Sequence, residues 1–163
     1  QLTNLKYIIS TIHRRENINS VKRLSSIFKN LDIINEEIDV IMPIHPHTLK
    51  KIDQFKINTS IKLIEPSNYS TMLSYLINSK MVITDSGGLQ KEAFFAQKKC
   101  ITVRAQTEWN ELVKEKVNLL CEPDYLYKAY SLFSKRNCDF SKKLFGSGNA
   151  SNLIVNKIIK FFK

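Results

Sequence analysis

Ser86, Gly87 and Gly88, with Glu92 four residues further on, are the residue types best suited to holding a phosphorylated ligand. They lie in the run Met81-Val-Ile-Thr-Asp-Ser-Gly-Gly-Leu-Gln-Lys-Glu-Ala93, where a short apolar strand ends at Thr84 and a helix-forming stretch opens at Leu89. Strand, glycine turn and helix start bring free backbone N–H groups and the positive end of a helix dipole to one point, which favours a phosphate or diphosphate. Glycines let the backbone approach the anion closely, and the Ser86 hydroxyl can donate to it. Glu92 is too far along the helix to help the anion, and a carboxylate there suits the diol of a ribose. The spacing is neither G-x-G-x-x-G nor a P-loop, so the generic dinucleotide and Walker readings fail. A helix N-cap with a glycine turn needs the same residue types, and the run by itself leaves both readings open.

Other candidates follow strands. His13 stands just past the first strand, beside Arg14 and Arg15. Its imidazole can donate to a phosphate oxygen or share a proton with a leaving diphosphate; the alternative is a capping histidine with two solvated arginines. Glu16 and Asn17 suit the fixing of that turn. His45, between Pro43 and Pro46, has a restricted backbone that fits a cleft wall or a structural role equally, and His47 reads as a surface residue. Arg104 follows the fifth strand, where it can face a phosphate or carboxylate, or pair with Glu108 or Glu111.

The elements that must position these residues alternate along the chain without a linker. Strand patterns cover residues 5–11, 40–44, 61–64, 81–84, 100–103 and 117–121. Between them, residues 18–34 show apolar positions at Val21, Leu24, Ile27, Phe28 and Leu31, one face of a helix. Helices are also predicted over 47–55, 69–78 (with Met72, Leu73, Leu76 and Ile77 inward), 89–97, 123–135 and 150–162. The alternation predicts one α/β domain over residues 1–163, a doubly wound parallel sheet of Rossmann-like type. Ligands of such sheets bind beyond the C-terminal ends of the strands, where the candidate residues cluster.

Joined in order, five segments carry a specific resemblance. Thr11-Ile-His-Arg-Arg-Glu-Asn17, Pro43-Ile-His-Pro46, the Asp85-Ser-Gly-Gly run, Arg104-Ala-Gln-Thr-Glu-Trp-Asn-Glu111 and Gly146-Ser-Gly-Asn-Ala150 span nearly the whole chain. They resemble T-x-H-R-x-E-N, H-P, D-S-G-G-x-Q-x-E-A, R-x-x-T-E-x-x-E and G-D-G-x-A of the C-terminal half of the non-hydrolysing UDP-N-acetylglucosamine 2-epimerases. That resemblance implies the C-terminal half of a two-domain fold of glycosyltransferase-B type. It implies interconversion of UDP-N-acetylglucosamine and UDP-N-acetylmannosamine by elimination and re-addition of UDP, with no nicotinamide cofactor and no metal. It also implies that Ser86, Gly87, Gly88 and His13 stabilise the leaving diphosphate, with Glu92 on the ribose and Arg104 a further substrate contact.

The family contacts uracil through the region of Ser67 and Met72, often with a stacked aromatic ring; Met72 occupies the aromatic position here. Trp109 and Asn110 replace an arginine and a proline after Thr-Glu, Lys99 a common proline and Ser147 an acidic residue. The family's carboxylate bases and a phosphate-binding arginine belong to its other domain, and this chain opens at the second domain's first strand. The expectation is an enzyme half, inactive alone, whose N-terminal domain is supplied in cis or in trans. A non-catalytic UDP- or nucleotide-sugar-binding module and the donor-binding half of a glycosyltransferase are the alternatives. Leu153, Ile154, Ile158, Phe161 and Phe162 on the last helix are expected to be left exposed, favouring a homodimer.

Composition narrows the classes further. A chain of 163 residues is large enough to bury about 70% of its unfolded surface. The net charge of +10 comes from lysines spread along the chain, without a basic tract interleaved with aromatics, so nucleic acid is not an expected partner. It would still attract an anionic nucleotide sugar. No apolar run approaches the roughly 20 residues of a membrane span, and no signal-peptide pattern opens the chain. Cys100, Cys121 and Cys138 are odd in number and form no C-x-x-C, which reads as buried reduced thiols in a cytoplasmic protein.

Overall fold

Strands buried on both faces must lie inside a sheet covered on both sides. Tyr7–Thr11 (β1) and Met81–Thr84 (β4) are such strands, every residue buried except the partly exposed Thr11. The computed structural model, which describes residues 7–162, pairs them in parallel at the centre of a six-stranded sheet. Asp39–Pro43 (β2) and Lys62–Ile64 (β3) extend the sheet beyond β1; Lys99–Thr102 (β5) and Asn118–Leu120 (β6) extend it beyond β4. The order is β3-β2-β1-β4-β5-β6, all parallel. Chain direction across the sheet reverses between β1 and β4, and the crevice beyond their C-terminal ends is where such folds take ligands. The α/β Rossmann-like expectation therefore holds.

Alternation along each strand assigns side chains to two cores. Ile8, Met42, Ile83 and Ile101 face one layer; Ile9, Ile41, Val82 and Cys100 face the other. The first core is closed by Val21–Asn35 (α2) and Leu126–Phe133 (α7), through Leu24, Ile27, Phe28, Leu31 and Tyr130. The second is closed by Tyr69–Asn78 (α4) and Gly87–Phe95 (α5), through Leu76, Leu89 and Ala93. Pro46–Phe55 (α3) joins β2 to β3, with proline in its first turn.

Several local expectations are corrected. The helix predicted over 18–34 is two: Arg15–Ile18 (α1), and α2 restarted by Ser20, whose hydroxyl accepts from the Arg23 N–H at 3.3 Å. The restart puts Val21 in the first turn, 53% exposed, and brings Ile34 into the core instead. Ile77 is likewise exposed, at the end of α4. The strand expected from residue 5 begins among the described residues at Tyr7, and Leu5 lies outside them. The stretch after Pro123 starts as a 3-10 turn over Pro123–Tyr125 before α7. A short helix, Asn110–Lys114 (α6), went unpredicted because it buries only Leu112. Ala150–Phe161 (α8) forms as expected and buries none of its residues.

Cys100 is buried and its thiol is pushed up to about 12 by desolvation; Cys121, partly buried, is pushed to about 12 for the same reason. Cys138 is only partly buried, and all three thiols are free. Among the described residues no helix is long and apolar enough to cross a membrane. Core position and exposed position separate cleanly on α2. Phe28→Ala is expected to lower unfolding stability by about 3–5 kcal/mol in urea titrations, whereas Val21→Ala should stay within about 0.5 kcal/mol.

Candidate functional site

β4 ends at Thr84, whose hydroxyl lies 2.6 Å from that of Thr11 on the neighbouring strand. The next residue, Asp85, is fully buried. Its carboxylate accepts from the backbone N–H groups of His13 (3.0 Å) and Arg14 (3.0 Å) and from Asn17 Nδ2 (3.0 Å). A buried carboxylate with three donors is stable where an unpaired one would not be. It ties the loop after β1 to the turn after β4 across the crevice. His13 Nδ1 also stands 3.7 Å from Asp85 Oδ1, which leaves Nε2 as the nitrogen free to act elsewhere.

The crevice is an open cleft of about 370 Å³. Six of the eight residues predicted from sequence line it: His13, Ser67, Met72, Ser86, Gly88 and Glu92. Ser86 caps α5, its hydroxyl accepting from the Leu89 N–H at 3.5 Å. Gly88 has open space around it, Ser86 Oγ being the nearest atom to a built Cβ at 4.0 Å. Glu92 is half-buried and, among the described residues, its carboxylate has neither a hydrogen-bond nor an ion-pair partner. His45 also lines the cleft, its ring centroid 6.4 Å from that of His13. Its Nδ1 accepts from the His47 N–H at the start of α3, so Nε2 is the protonated, donating nitrogen of the neutral ring.

Gly87 and Arg104 stand outside the cleft lining. A Cβ on Gly87 would meet Glu108 Oε2 at 3.3 Å and Arg14 Nη2 at 3.5 Å, so that glycine makes room for an ion-pair network behind the turn. Arg104 is 8% exposed and holds Glu108 through Nη1, at 3.0 and 2.8 Å, the pairing weighed against a phosphate contact from sequence. Its Nε lies 3.5 Å from Glu16 Oε1 without hydrogen-bond geometry. Arg14 joins from the other side at 3.3 Å. The hydrogen bonds from Arg104, helped by the charges of Arg104 and Arg14, hold the Glu108 carboxyl below the usual glutamate range.

Sequence reasoning missed Asp85, although it stands inside the most informative run, because a carboxylate's value here lies in contacts 68 to 72 residues away. It also missed Gln90, which donates to the Ser86 carbonyl and accepts from Thr107 and Asn118, fixing α5 to the far strands. Tyr69, at the mouth of the cleft, was missed as well; an aromatic at the first position of a predicted helix was the signal.

The strand order, the switch point and the paired loops define a Rossmann-like α/β domain of the kind found as one half of glycosyltransferase-B-type enzymes. Residues 1–159 match the family model described as UDP-N-acetylglucosamine 2-epimerase, and the chain belongs to that family. It is 36% identical over 157 residues to a UDP-2,3-diacetamido-2,3-dideoxy-D-glucuronate 2-epimerase of Pseudomonas aeruginosa. It is 36% identical over 163 residues to a UDP-N-acetylglucosamine 2-epimerase of Methanococcus maripaludis. Each alignment covers 94% of this chain and 44% of the relative. The crystal structure of Methanocaldococcus jannaschii UDP-GlcNAc 2-epimerase in complex with UDP-GlcNAc and UDP superposes with a TM-score of 0.86 at 32% identity, covering 96% of this chain and 46% of that one. The chain thus spans less than half the length of the relatives it matches.

The depressed Glu108 carboxyl sets the sign of a pH effect. Its folded pKa is below its unfolded one, so the stability it contributes is present above the ordinary glutamate range near pH 4.3 and lost as pH falls through the lower folded value. Glu108 is half-exposed, so the contribution is on the order of 1 kcal/mol after solvent screening. Glu108→Gln is expected to lower the urea midpoint at pH 7 and to converge on the wild type in strong acid; a gap that does not narrow would contradict this assignment.

Proposed function

We propose that this chain is the nucleotide-binding, C-terminal half of a UDP-N-acetylglucosamine 2-epimerase. The observation that carries the reading is the Glu92 carboxylate sharing one cleft with Ser86 and Gly88 while lacking a partner among the described residues. Gly88 and Glu92 are one turn apart on α5, a rise of about 6 Å. That is the scale separating a diphosphate at the helix N-terminus from the ribose that follows it. The diphosphate takes the free N–H groups and the positive end of α5, and the Ser86 hydroxyl; Glu92 accepts from the ribose hydroxyls.

The chemistry assigned to the whole enzyme is elimination and re-addition. A base removes the proton at sugar C2, the C1–O bond breaks with its electron pair leaving on UDP, and a glycal remains. UDP then returns to C1 and a proton to the other face of C2. Charge develops on the diphosphate as it leaves, and preorganised donors aimed at it lower that barrier. His13, its loop held by Asp85 and its Nε2 left free, is the side chain we assign to that oxygen. Among the described residues Glu92 is the only carboxylate in the cleft lining, and we assign it to the ribose, so we assign the base acting on C2 to the other half of the enzyme. The Pseudomonas aeruginosa relative, named for a diacetamido uronate, favours a second reading in which the sugar is a further modified 2-acetamido sugar on the same UDP.

UDP is expected to bind the chain in calorimetry, with uridine at least an order of magnitude weaker; equal affinities would remove the diphosphate from the assignment. Gly88→Ala, whose methyl group enters the cleft, is expected to weaken UDP at least tenfold without altering the fold. Gly87→Ala, which projects towards Glu108, should retain it.

The chain alone is expected to show no turnover of UDP-N-acetylglucosamine, since each general acid–base step contributes about 10² to 10⁴-fold and the base is elsewhere. Its apolar α8 is expected to make it self-associate in sedimentation experiments, and co-expression with a matching N-terminal domain should relieve this and restore turnover. Epimerisation by the pure 163-residue chain would overturn the division of labour.

A further inference from the structure

Trp109 lies outside the cleft lining, yet its indole reaches the turn on which that lining is built. Nε1 donates to the Gly87 carbonyl at 2.7 Å, the short end of the N–H···O range. A carbonyl in the first turn of a helix already has an intrahelical partner four residues on, so the indole is not there to satisfy an orphaned group. The indole is itself held by the same helix. The Lys91 ammonium, one turn along α5, stands 4.6 Å from its ring centroid. The Trp109 backbone N–H donates to Thr107 Oγ1 at 3.1 Å, and that hydroxyl donates to Gln90 Oε1 at 2.6 Å. Gln90 Nε2 donates in turn to the Ser86 carbonyl at 3.1 Å. Two successive carbonyls of the glycine turn are thus engaged by side chains that do not line the cleft.

The Gly87 carbonyl and the Gly88 N–H are the two ends of one planar trans peptide and point opposite ways. Fixing the carbonyl therefore fixes the N–H, and that N–H is one of the donors a helix start leaves without an intrahelical partner. It belongs to a residue that lines the cleft. A hydrogen bond accepted at one end of a peptide also polarises it, which strengthens the donor at the other. A glycine pair has more backbone freedom than any other, so support from outside the turn matters most there.

We propose that Trp109 is a positioning residue for the diphosphate: it holds and polarises the Gly87–Gly88 peptide so that the Gly88 N–H is preorganised for the anion. This rests on the nucleotide reading given above and adds a residue outside the cleft that sets the strength of its anion end.

The test is calorimetry on the full chain with UDP and with inorganic pyrophosphate, using Trp109→Phe and Phe145→Leu. Trp109→Phe keeps an aromatic ring and deletes the donor. Phe145→Leu removes the ring that packs edge-on against the indole and leaves the donor in place. Loss of one hydrogen bond predicts that Trp109→Phe weakens UDP and pyrophosphate alike, by about three- to tenfold. Phe145→Leu should lower the urea midpoint and bind both ligands as the wild type does. Wild-type affinity in Trp109→Phe, a loss for UDP without one for pyrophosphate, or an equal loss in Phe145→Leu overturns the positioning role while leaving UDP binding as a reading. So does a wild type that binds UDP and not pyrophosphate. If Trp109→Phe does not fold, the wild-type chain decides: Trp109 is its sole tryptophan, so the indole N–H gives a single proton resonance. Pyrophosphate is expected to shift that resonance, and one left unmoved at saturation overturns the role. A chain that binds neither UDP nor pyrophosphate overturns the nucleotide assignment itself, and the positioning role falls with it.

Discussion

Three donors converging on one buried carboxylate hold this site in shape. Asp85 follows the central strand β4, and its partners come from the loop after the adjacent strand β1 and from Asn17 in α1. Asn17 in turn donates to the Val103 carbonyl beyond β5 and accepts from Arg23 of α2. A single charge thus fixes three strand ends and the entry to the long helix. A buried carboxylate is costly unless every donor is in place, so the loops cannot drift apart without leaving it unpaired. The cleft inherits that rigidity, because His13 on one wall and Ser86 on the other flank the same side chain.

Two of the residues that depart from the pattern given by the resemblance, Trp109 and Lys99, make supporting contacts of their own. Trp109 stands where an arginine is common, and its Nε1 donates to the Gly87 carbonyl at 2.7 Å. Its ring packs edge-on against Phe145, while the Lys91 ammonium lies 4.6 Å from both ring centroids. An indole therefore braces the glycine turn from behind. Lys99 replaces a proline and donates to the carbonyls of Ser134 and Arg136 just past α7, a favourable place for a cation.

What could be read in the sequence was what local periodicity and local spacing encode. The parallel sheet was legible because strands and helices alternate, and α4 and β4 were placed to the residue. His13, Ser86 and Gly88 were legible because they sit just past strand ends and at a helix start, Glu92 because it follows them by one turn, and Ser67 and Met72 only through the family resemblance. Residues whose roles depend on distant partners were not. Arg104 read equally as an anion ligand or an ion-pair member, and only the fold brings Glu108 and Glu16 to it. Val21 looked inward by spacing, but it is the first residue of α2, directly after the Ser20 cap, and stands 53% exposed. Tyr69 was passed over because a lone aromatic at a helix start has no meaning until the cleft is built around it.

α8 has a different kind of stability from the rest of the domain. Its twelve residues bury no side chain, and Ile154, Ile158 and Phe161 stand in solvent along one stripe. An isolated helix of that length is marginal in water, since nucleation costs more than a few turns of hydrogen bonding return. The sheet and its two helical layers form one cooperative unit, whereas α8 opens on its own at little free-energy cost. The backbone amides of α8 are thus expected to exchange with solvent far faster than those of β1 or β4, and a surface covering the stripe would make the helix part of the cooperative unit.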